Sequence, residues 1–331
     1  MHLLYARFFH KLMRDVGLIN SNEPFKRLLT QGMVTSETYY RDHEAGKREF
    51  FNADDVDLAL DDKGKISGAT LKADGQPVIV GGVEKMSKSK NNGVDPQKMI
   101  DKYGADTVRL FTMFAAPPEQ SLEWNDDAIA GGARFLRRVW GLFAKHNDML
   151  LQQRLRPLDS VDALNSEAKA LRLQVHTIIQ RAMFDYDRQQ FNTVVAAAME
   201  LTNAIEKVDA NSLGDQSANV LAEACHALIK ILAPVTPHLC EHLWDQYGTE
   251  LNLVDSGWLT VDDSALVRDE ITYVVQVNGK LRAKLEFSAS ATKEEIEVAA
   301  QEDVNVQRFL DGVTVRKVIV VPNKLVNIVA N

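Results

Sequence analysis

The chain has 331 residues, of which 45% are hydrophobic and 25% charged, and its formal net charge is −8. This composition is typical of a globular protein of about two or three domains, and the negative balance argues against a protein that coats polyanions with its whole surface. No apolar run approaches the roughly 20 residues of a membrane span, and the first residues lack the cleavage pattern of a signal peptide. The two cysteines, Cys225 and Cys240, are too few for a disulfide framework, so free thiols in a reducing cytoplasm are expected.

The first 84 residues change character at about residue 35. Residues 1–34 predict an amphipathic helix followed by an apolar stretch. Residues 35–84 are rich in turns and short strand-like pieces, and hairpin turns are expected at residues 61–64 (DDKG) and 74–75 (DG). This second segment is therefore predicted to be a small β-rich insert.

A dense positive loop follows in the stretch EKMSKSKNNGVDP, which occupies residues 84–96. Asp95 is a suitable N-cap and Pro96 suits the first turn of a helix, which Gly104 is predicted to end. Asp106 is predicted to cap the next helix. Lysines and serines at this density suit a mobile clamp that closes on phosphate charge as it develops. The alternative for such a run is a solvated linker.

The centre of the chain, from about residue 125 to 247, has a helical pattern after the boundary at Pro117-Pro118. One helix is predicted to bury a single face formed by residues at i, i+3, i+4 and i+7, namely Leu136, Val139, Trp140 and Phe143. Further helices are expected at about 165–187, 190–208 and 216–247, and Pro234 and Pro237 are expected to kink or break the last of them.

The tail, from about residue 270, changes to a period of two, which predicts strands. Asn278-Gly279 is a strong hairpin turn sequence, and Thr292 with Glu295 predicts a capping box at the start of a helix. Within the strand KLRAKLEF, apolar residues (Leu281, Ala283, Leu285, Phe287) alternate with charged ones (Lys280, Arg282, Lys284, Glu286). The tail is therefore predicted to be a small α+β domain.

The loop carries the string KMSKS at residues 85–89, which matches a signature of class I aminoacyl-tRNA synthetases. Its context, KMSKSKNNGVDP followed by YGADTVRLFTMFAAPPEQSLEW, resembles bacterial leucyl-tRNA synthetase, as do HLLYARFFHKLM, NGKLRAK and DGVTVRKVIVVPNKLVNIV. The isoleucyl and valyl enzymes share the signature but are less similar in the insert and the tail. The resemblance covers essentially the whole chain.

The resemblance implies a multi-domain fold that combines α/β and all-α parts. Residues 1–116 would be the last part of a Rossmann-like catalytic domain, with the leucine-specific β-rich insert at 35–84 and the KMSKS loop at 85–96. Residues 117–262 would form a helical domain of the anticodon-binding type, and residues 263–331 an α+β domain that binds tRNA. A monomer is expected.

The resemblance also implies the chemistry: leucine and ATP, with Mg²⁺, form leucyl-adenylate, and the leucyl group passes to tRNA(Leu). Lys88, assisted by Lys85, would contact the pyrophosphate and the developing charge. The ATP-binding set would be the whole signature, Lys85, Met86, Ser87, Lys88 and Ser89. His2 matches a histidine beside the leucine pocket, although an ordinary helix histidine is an equal reading. No protein-bound metal is expected.

For tRNA the resemblance favours cations of the tail, where salt-dependent backbone contacts are expected. They are Lys280, Arg282 and Lys284, predicted to share one strand face, with Arg316 and Lys317 near a later strand. Arg134 and Arg138 of the helical domain form a second candidate patch. Composition alone favours solvated strands, because residues 271–331 hold eight basic and seven acidic side chains.

Two features oppose a complete enzyme. The family's HIGH motif and its editing domain have no counterpart here. We therefore expect the C-terminal part of a synthetase, which would be inactive alone. It could come from a truncated frame, a split gene or an expressed piece, and a separate N-terminal half is a possible partner. The alternative is a non-catalytic tRNA-binding or regulatory module.

The string His238-Leu239-Cys240-Glu241-His242 fits the zinc protease pattern H-x-x-E-H. A core helix is the favoured reading there, because Pro237 precedes it and no third ligand is apparent.

Overall fold

A computed structural model describes residues 2–43, 46–64, 66–155, 157–158, 164–209, 214–249, 251–267, 270–288 and 291–331. The contacts group the chain into two units, residues 1–163 with 178–259 and residues 164–177 with 260–331, and each unit is described separately. Among the described helices, none combines the length and apolar character that crossing a bilayer requires. The mixture of strands and helices agrees with the predicted α/β and all-α content.

The first unit contains a four-stranded sheet centred on β1. Its strands are β1 (Val34–Asp42), β2 (Arg48–Phe51), β5 (Ile79–Lys85) and β6 (Leu122–Glu123). β1 pairs antiparallel with β2 and β5 and parallel with β6. A separate hairpin joins β3 (Val56–Leu60) to β4 (Ile66–Leu71).

The β-rich content predicted for residues 35–84 is thus observed, and both predicted turns are present. Gly64 (φ 73°) lies in the turn between β3 and β4, and Gly75 (φ 66°) in the turn after β4. A small core packs Tyr39 with residues of β3, β4 and the segment before β5.

The first helix, α1 (His2–Asp15), forms as predicted, but it contains no buried residue. It is attached by polar contacts, such as the ion pair between Arg7 and Glu23. Its apolar side chains are exposed, with Leu4 at 70% and Phe8 at 62% of full exposure. Among the described residues of this unit, none buries the apolar side of α1.

Helices follow the positive loop as the caps predict. α2 (Pro96–Tyr103) begins after Asp95, whose side chain accepts from the Gln97 N–H, and ends at Gly104 with φ 84°. The prediction for Asp106 is wrong, because Gly104 is also the N-cap of α3 (Ala105–Phe114). Asp106 lies inside the first turn of α3 and caps a different helix far along the chain.

That helix belongs to the bundle that completes the unit. Its members are α4 (Asp126–Lys145), α5 (Asn147–Gln153), α7 (Phe191–Glu206), α8 (Gly214–Leu232) and α9 (Pro237–Tyr247), together with the later part of α6 (Ser166–Asp187). The chain breaks between α8 and α9 at the predicted prolines. Cys225 and Cys240 are free and buried in this unit.

One residue of the predicted buried face of α4 is misplaced. Val139 and Phe143 are buried, whereas Trp140 is 46% exposed. Its indole stacks on the His242 ring, with centroids 5.3 Å apart. The partner of Trp140 at the surface belongs to α9, and the spacing of apolar residues within α4 cannot predict it.

The second unit contains the predicted α+β tail. The four-stranded sheet has the order β8-β7-β10-β9, with β7 (Glu270–Val277), β8 (Lys280–Ser288), β9 (Val315–Val321) and β10 (Leu325–Ala330). Helices α10 (Lys293–Glu302) and α11 (Val304–Leu310) contribute Ile296, Ala300 and Val306 to its core. The Asn278-Gly279 turn and the Thr292–Glu295 capping box are both confirmed.

Candidate functional site

The KMSKS segment (residues 85–89) is delivered by β5, which ends at Lys85 and is paired with β1. The Met86 N–H donates to the Val34 carbonyl at 3.0 Å, which extends the pairing by one residue. A single 3-10 turn, Lys88–Lys90, follows. The hydroxyls of Ser87 and Ser89 are 3.2 Å apart. The segment is therefore a short turn projecting from the end of a strand.

Two asparagines fix the way out of this turn. Asn91 adopts the left-handed conformation (φ 47°) and its side chain donates to the Phe50 carbonyl at 2.7 Å. Asn92 is buried, and its amide oxygen accepts from the Ser87 N–H at 2.9 Å. Left-handed backbone is tolerated by asparagine better than by most residues. Neither asparagine was assigned a role from the sequence, although both directly follow a lysine run.

The lysines near the segment differ in how they are compensated. Lys90 forms an ion pair with Glu84, and Lys98 forms one with Asp54 at 2.8 Å. The hydrogen bond from Lys98 is the main cause that holds the pKa of the Asp54 carboxyl below its usual value. Within the described part of the chain, Lys85 and Lys88 are exposed and have no ion pair.

This arrangement can do one kind of chemistry well. Two uncompensated ammonium groups on a short turn can meet an anionic ligand, and their attraction is largest where the ligand excludes water. The N-terminus of α2 is a weaker contributor, because the Asp95 carboxylate already occupies it. The two predicted lysines are three residues apart in the chain, and both are left available for an anion.

The other predicted residue of the catalytic part, His2, is an exposed residue at the start of α1. Its role at a leucine pocket stays a prediction.

The cations of the tail do not form the predicted single stripe. A β-bulge shifts the register between β7 and β8 at Val275/Gln276. Lys284 pairs with Val274, but Lys280 pairs with Val277, which lies on the buried face. The bulge therefore places Lys280 and Lys284 on opposite faces of the sheet and leaves Leu281, predicted to be buried, exposed.

Arg282 at the same bulge is also withdrawn from the predicted stripe. Its guanidinium lies over the Phe309 ring, with its central carbon 3.5 Å from the ring centroid, and its Nε is buried. On the far edge of the sheet, Lys317 pairs with Val329, and Arg316 donates to the Asn331 side chain at 2.6 Å.

Lys284 and Lys317 nevertheless face the same side. Lys284 pairs with Val274, and Lys317 pairs with Val329. The residues on either side of Val274 and Val329 are buried in the core, so the two lysines point away from it. They lie on the two edge strands, three strand spacings or about 14 Å apart across the sheet. They are also offset by four residues, or about 13 Å, along the strand direction. These two lysines define a broad sheet face that α10 and α11 leave uncovered, and this face is here called the lysine face.

The second candidate patch is reduced in the same way. Arg138 forms an ion pair with Glu206 at 2.6 Å and donates to Asn203 at 2.7 Å. Arg134 is exposed on α4. Only Arg134 of this predicted pair is therefore presented to solvent without an acidic partner among the described residues.

The H-x-x-E-H string lies on α9, and both of its histidines have other contacts. His238 pairs with Asp106 at 2.8 Å, and His242 stacks on Trp140. Asp106 also accepts the backbone N–H groups of His238 and Leu239 and so caps α9. Across the described residues no group of three His, Cys, Asp or Glu side chains could hold a metal ion.

Two protein-family models match this chain, one over the KMSKS segment and one over the helical part. Residues 74–125 match the family model of the class I tRNA synthetases (I, L, M and V). Residues 168–298 match the model of the anticodon-binding domain of tRNA ligases. The first match includes the KMSKS segment and its capped helix.

Curated relatives match the chain from end to end. The leucine–tRNA ligases of Pseudomonas putida (strain W619) and Chromohalobacter salexigens are each 55% identical over 332 aligned residues, which cover 100% of this chain and 38% of the relative. The chain thus spans little more than a third of the length of these relatives.

A solved structure has the same fold. It is the ternary complex of Agrobacterium radiobacter K84 agnB2 LeuRS with tRNA and LeuAMS, with a TM-score of 0.71 and 26% sequence identity. The match covers 100% of this chain and 37% of that chain.

Proposed function

We propose that this chain is the part of a leucine–tRNA ligase that carries the phosphate-binding side of the catalytic site together with tRNA-binding surfaces. It matches such relatives over 38% of their length. The observation that carries the proposal is the KMSKS segment itself. Lys85 ends a paired strand and Lys88 lies in the turn that follows; both are exposed and have no acidic partner among the described residues, whereas the nearby Lys90 and Lys98 are paired with Glu84 and Asp54.

In the proposed reaction a leucine carboxylate oxygen attacks the α-phosphorus of ATP, and pyrophosphate leaves. ATP enters as its magnesium complex. Negative charge that accumulates on the leaving pyrophosphate is stabilised by Lys88 and Lys85, which act on the transition state more than on bound ATP. A hydroxyl of the terminal adenosine of tRNA(Leu) then attacks the leucyl carbonyl carbon of the adenylate, an ester bond forms, and AMP leaves.

This activity is proposed for an assembly in which the remaining part of a leucine–tRNA ligase covers α1. The apolar side chains of α1 are largely exposed, between 39% and 70% from Leu4 to Met13, and an exposed patch of this kind commonly marks a contact surface. Most of the length of the relatives lies outside the match, so it supplies enough chain for that contact. A separately encoded N-terminal half would serve the same purpose.

The test is leucine-dependent exchange between ATP and pyrophosphate, on the chain alone and mixed with the remaining part of a leucine–tRNA ligase. Exchange that appears in the mixture, and disappears when Lys85 and Lys88 are both changed to Ala, supports the proposal. A mixture that forms a complex on a sizing column and gives no exchange overturns it. A Phe8→Asp variant should lose both complex and exchange.

The second candidate is a non-catalytic tRNA-binding module, and the lysine face favours it independently of the catalytic segment. Its readout is binding of tRNA(Leu) transcript to the chain alone in a filter assay. Binding without exchange in any mixture would favour the module over the enzyme.

A further inference from the structure

The side chain of Asn92 is the polar centre of the candidate site. It is 4% exposed. Its amide nitrogen lies 3.3 Å from the carbonyl oxygens of Ser36 and Glu84 and 3.4 Å from that of Lys85, and its amide oxygen accepts the Ser87 N–H at 2.9 Å. All the polar atoms of this amide therefore have partners within the loop or the adjoining strand.

These partners lie on both sides of the KMSKS turn. Glu84 and Lys85 are the last residues of β5, Ser87 starts the turn, and Ser36 belongs to β1. The side chain thus ties the end of the loop to its beginning and to the central strand. The turn between the tied points contains Lys88, whose position follows from the backbone geometry that Asn92 holds.

Only asparagine satisfies this site by its chemistry. The Asn92 amide nitrogen faces three carbonyl oxygens at 3.3–3.4 Å, and its amide oxygen is the acceptor for the Ser87 N–H at 2.9 Å. Asn supplies both from one short planar group, whereas Asp is acceptor-only when ionised and Ala supplies neither. A buried amide N–H or carbonyl left without its partner is destabilising, so the loop geometry depends on this one side chain.

We propose that Asn92 is a positioning residue for adenylate formation, which holds the KMSKS turn in the geometry that aims Lys88 and Lys85 at the ATP phosphates. The inference rests on the proposed function, since it assigns the geometry of the same site. The Asn92 side chain is buried and its polar atoms face backbone groups. It acts through the backbone of the turn, and loss of about an ångström in placement is enough to slow a reaction about 100-fold.

The test compares Asn92→Ala and Asn92→Asp with the unchanged chain, each mixed with the remaining part of a leucine–tRNA ligase. The matched control is Asn278→Gly, which deletes another side-chain amide that bonds backbone at both its atoms, here those of Ala330. Glycine preserves the left-handed backbone at that hairpin position (φ 51°).

For Asn92→Ala we expect kcat/KM for ATP in the exchange reaction to fall about 10- to 100-fold, with the KM for leucine within about twofold. Asn92→Asp should lose at least as much at pH 8, because a carboxylate faces three carbonyls. Its activity relative to the unchanged chain should rise as the pH falls, because a protonated carboxyl can again donate. Asn278→Gly should leave the exchange reaction unchanged.

A second readout needs no activity. Hydrogen exchange of the isolated chain should be about tenfold faster in the peptide covering residues 85–92 of Asn92→Ala, with other strands of the sheet unaffected. A uniform acceleration across the unit would indicate loss of fold and would overturn a local positioning role. An unchanged peptide would overturn it as well.

The two levels fail differently. If the unchanged mixture forms a complex but shows no exchange, the proposed function fails. If that mixture is active and Asn92→Ala retains its kcat/KM for ATP, only the role of Asn92 is overturned. A comparable rise in the KM values for both ATP and leucine would also overturn it, because it would indicate a general loss of site integrity.

Discussion

The guanidinium of Arg172 donates to the Asp262 carboxylate at 2.6 Å within the second unit. The arginine side chain is 3% exposed and the aspartate side chain 40% exposed. Asp262 also accepts the Ser264 N–H at 2.9 Å and so caps a short 3-10 turn. The hydrogen bond from Arg172, followed by that from Ser264, holds the pKa of Asp262 well below its usual value.

This pair predicts how the stability of the second unit depends on pH. A depressed carboxyl pKa stabilises the folded state above the unfolded pKa, about 3.9, and the contribution is lost as the pH falls toward the folded pKa. Asp262→Asn should therefore be less stable than the unchanged chain at pH 7, and the difference should shrink below about pH 4. Urea unfolding between pH 7 and pH 2.5 measures it. A difference that is constant with pH would contradict the prediction.

Changing Lys88 tests the phosphate site. Lys88→Ala should cost about 3 kcal/mol of transition-state stabilisation, or roughly 100-fold in exchange rate, because one preorganised cation is lost. Lys85→Ala should cost less, in keeping with its assisting role. Lys98→Ala is the matched control, since its ammonium is already paired with Asp54. Near-unchanged turnover in Lys88→Ala would remove Lys88 from the mechanism.

The lysine face predicts a salt-dependent contact with RNA. Lys284→Ala and Lys317→Ala should each weaken tRNA binding and reduce the slope of log K against log salt by about 1. Lys293→Ala in α10 is the control, because that lysine is paired with Glu297. Identical slopes for all four proteins would show that this sheet face does not meet phosphate.

The cap formed by Asp106 predicts an effect on stability. Asp106→Ala leaves the first N–H groups of α9 without their acceptor and should lower the free energy of unfolding by about 1–2 kcal/mol. Asp245→Ala, on an exposed face of the same helix, should change it by less than about 0.5 kcal/mol. Urea titrations followed by far-UV circular dichroism compare the two. Equal effects would mean that the cap contributes nothing.

Features decided by near neighbours in the chain were predictable from the sequence. The caps at Asp95 and Thr292, the stop at Gly104 and the Asn278-Gly279 turn depend on side chains within a few residues, and all are present. The KMSKS segment was also found from its letters alone. The sequence did not reveal which of the lysines near the segment would be free of an acidic partner, because some of those partners come from distant positions such as Asp54.

Features decided by distant contacts were missed. Asp106 has a residue type and position that suit its own helix, yet its partner is 133 residues away. Trp140 fits the buried period of α4, but His242 of another helix holds it at the surface. The alternation in β8 is correct until one bulge reverses it near Arg282. A bulge is a property of two strands, so the pattern of one strand cannot locate it.

The separation of Asp106 from Leu239 has a consequence for the order in which the protein is made. Ribosomes add about 5–20 residues per second, so the backbone groups that Asp106 caps are synthesised roughly 7–27 s after it. During that interval α3 is made without α9, and the Asp106 carboxylate is without the donors that His238 and Leu239 supply in the folded protein. A nascent chain halted before residue 237 should therefore leave α3 more accessible to a chaperone or a protease than the finished protein does.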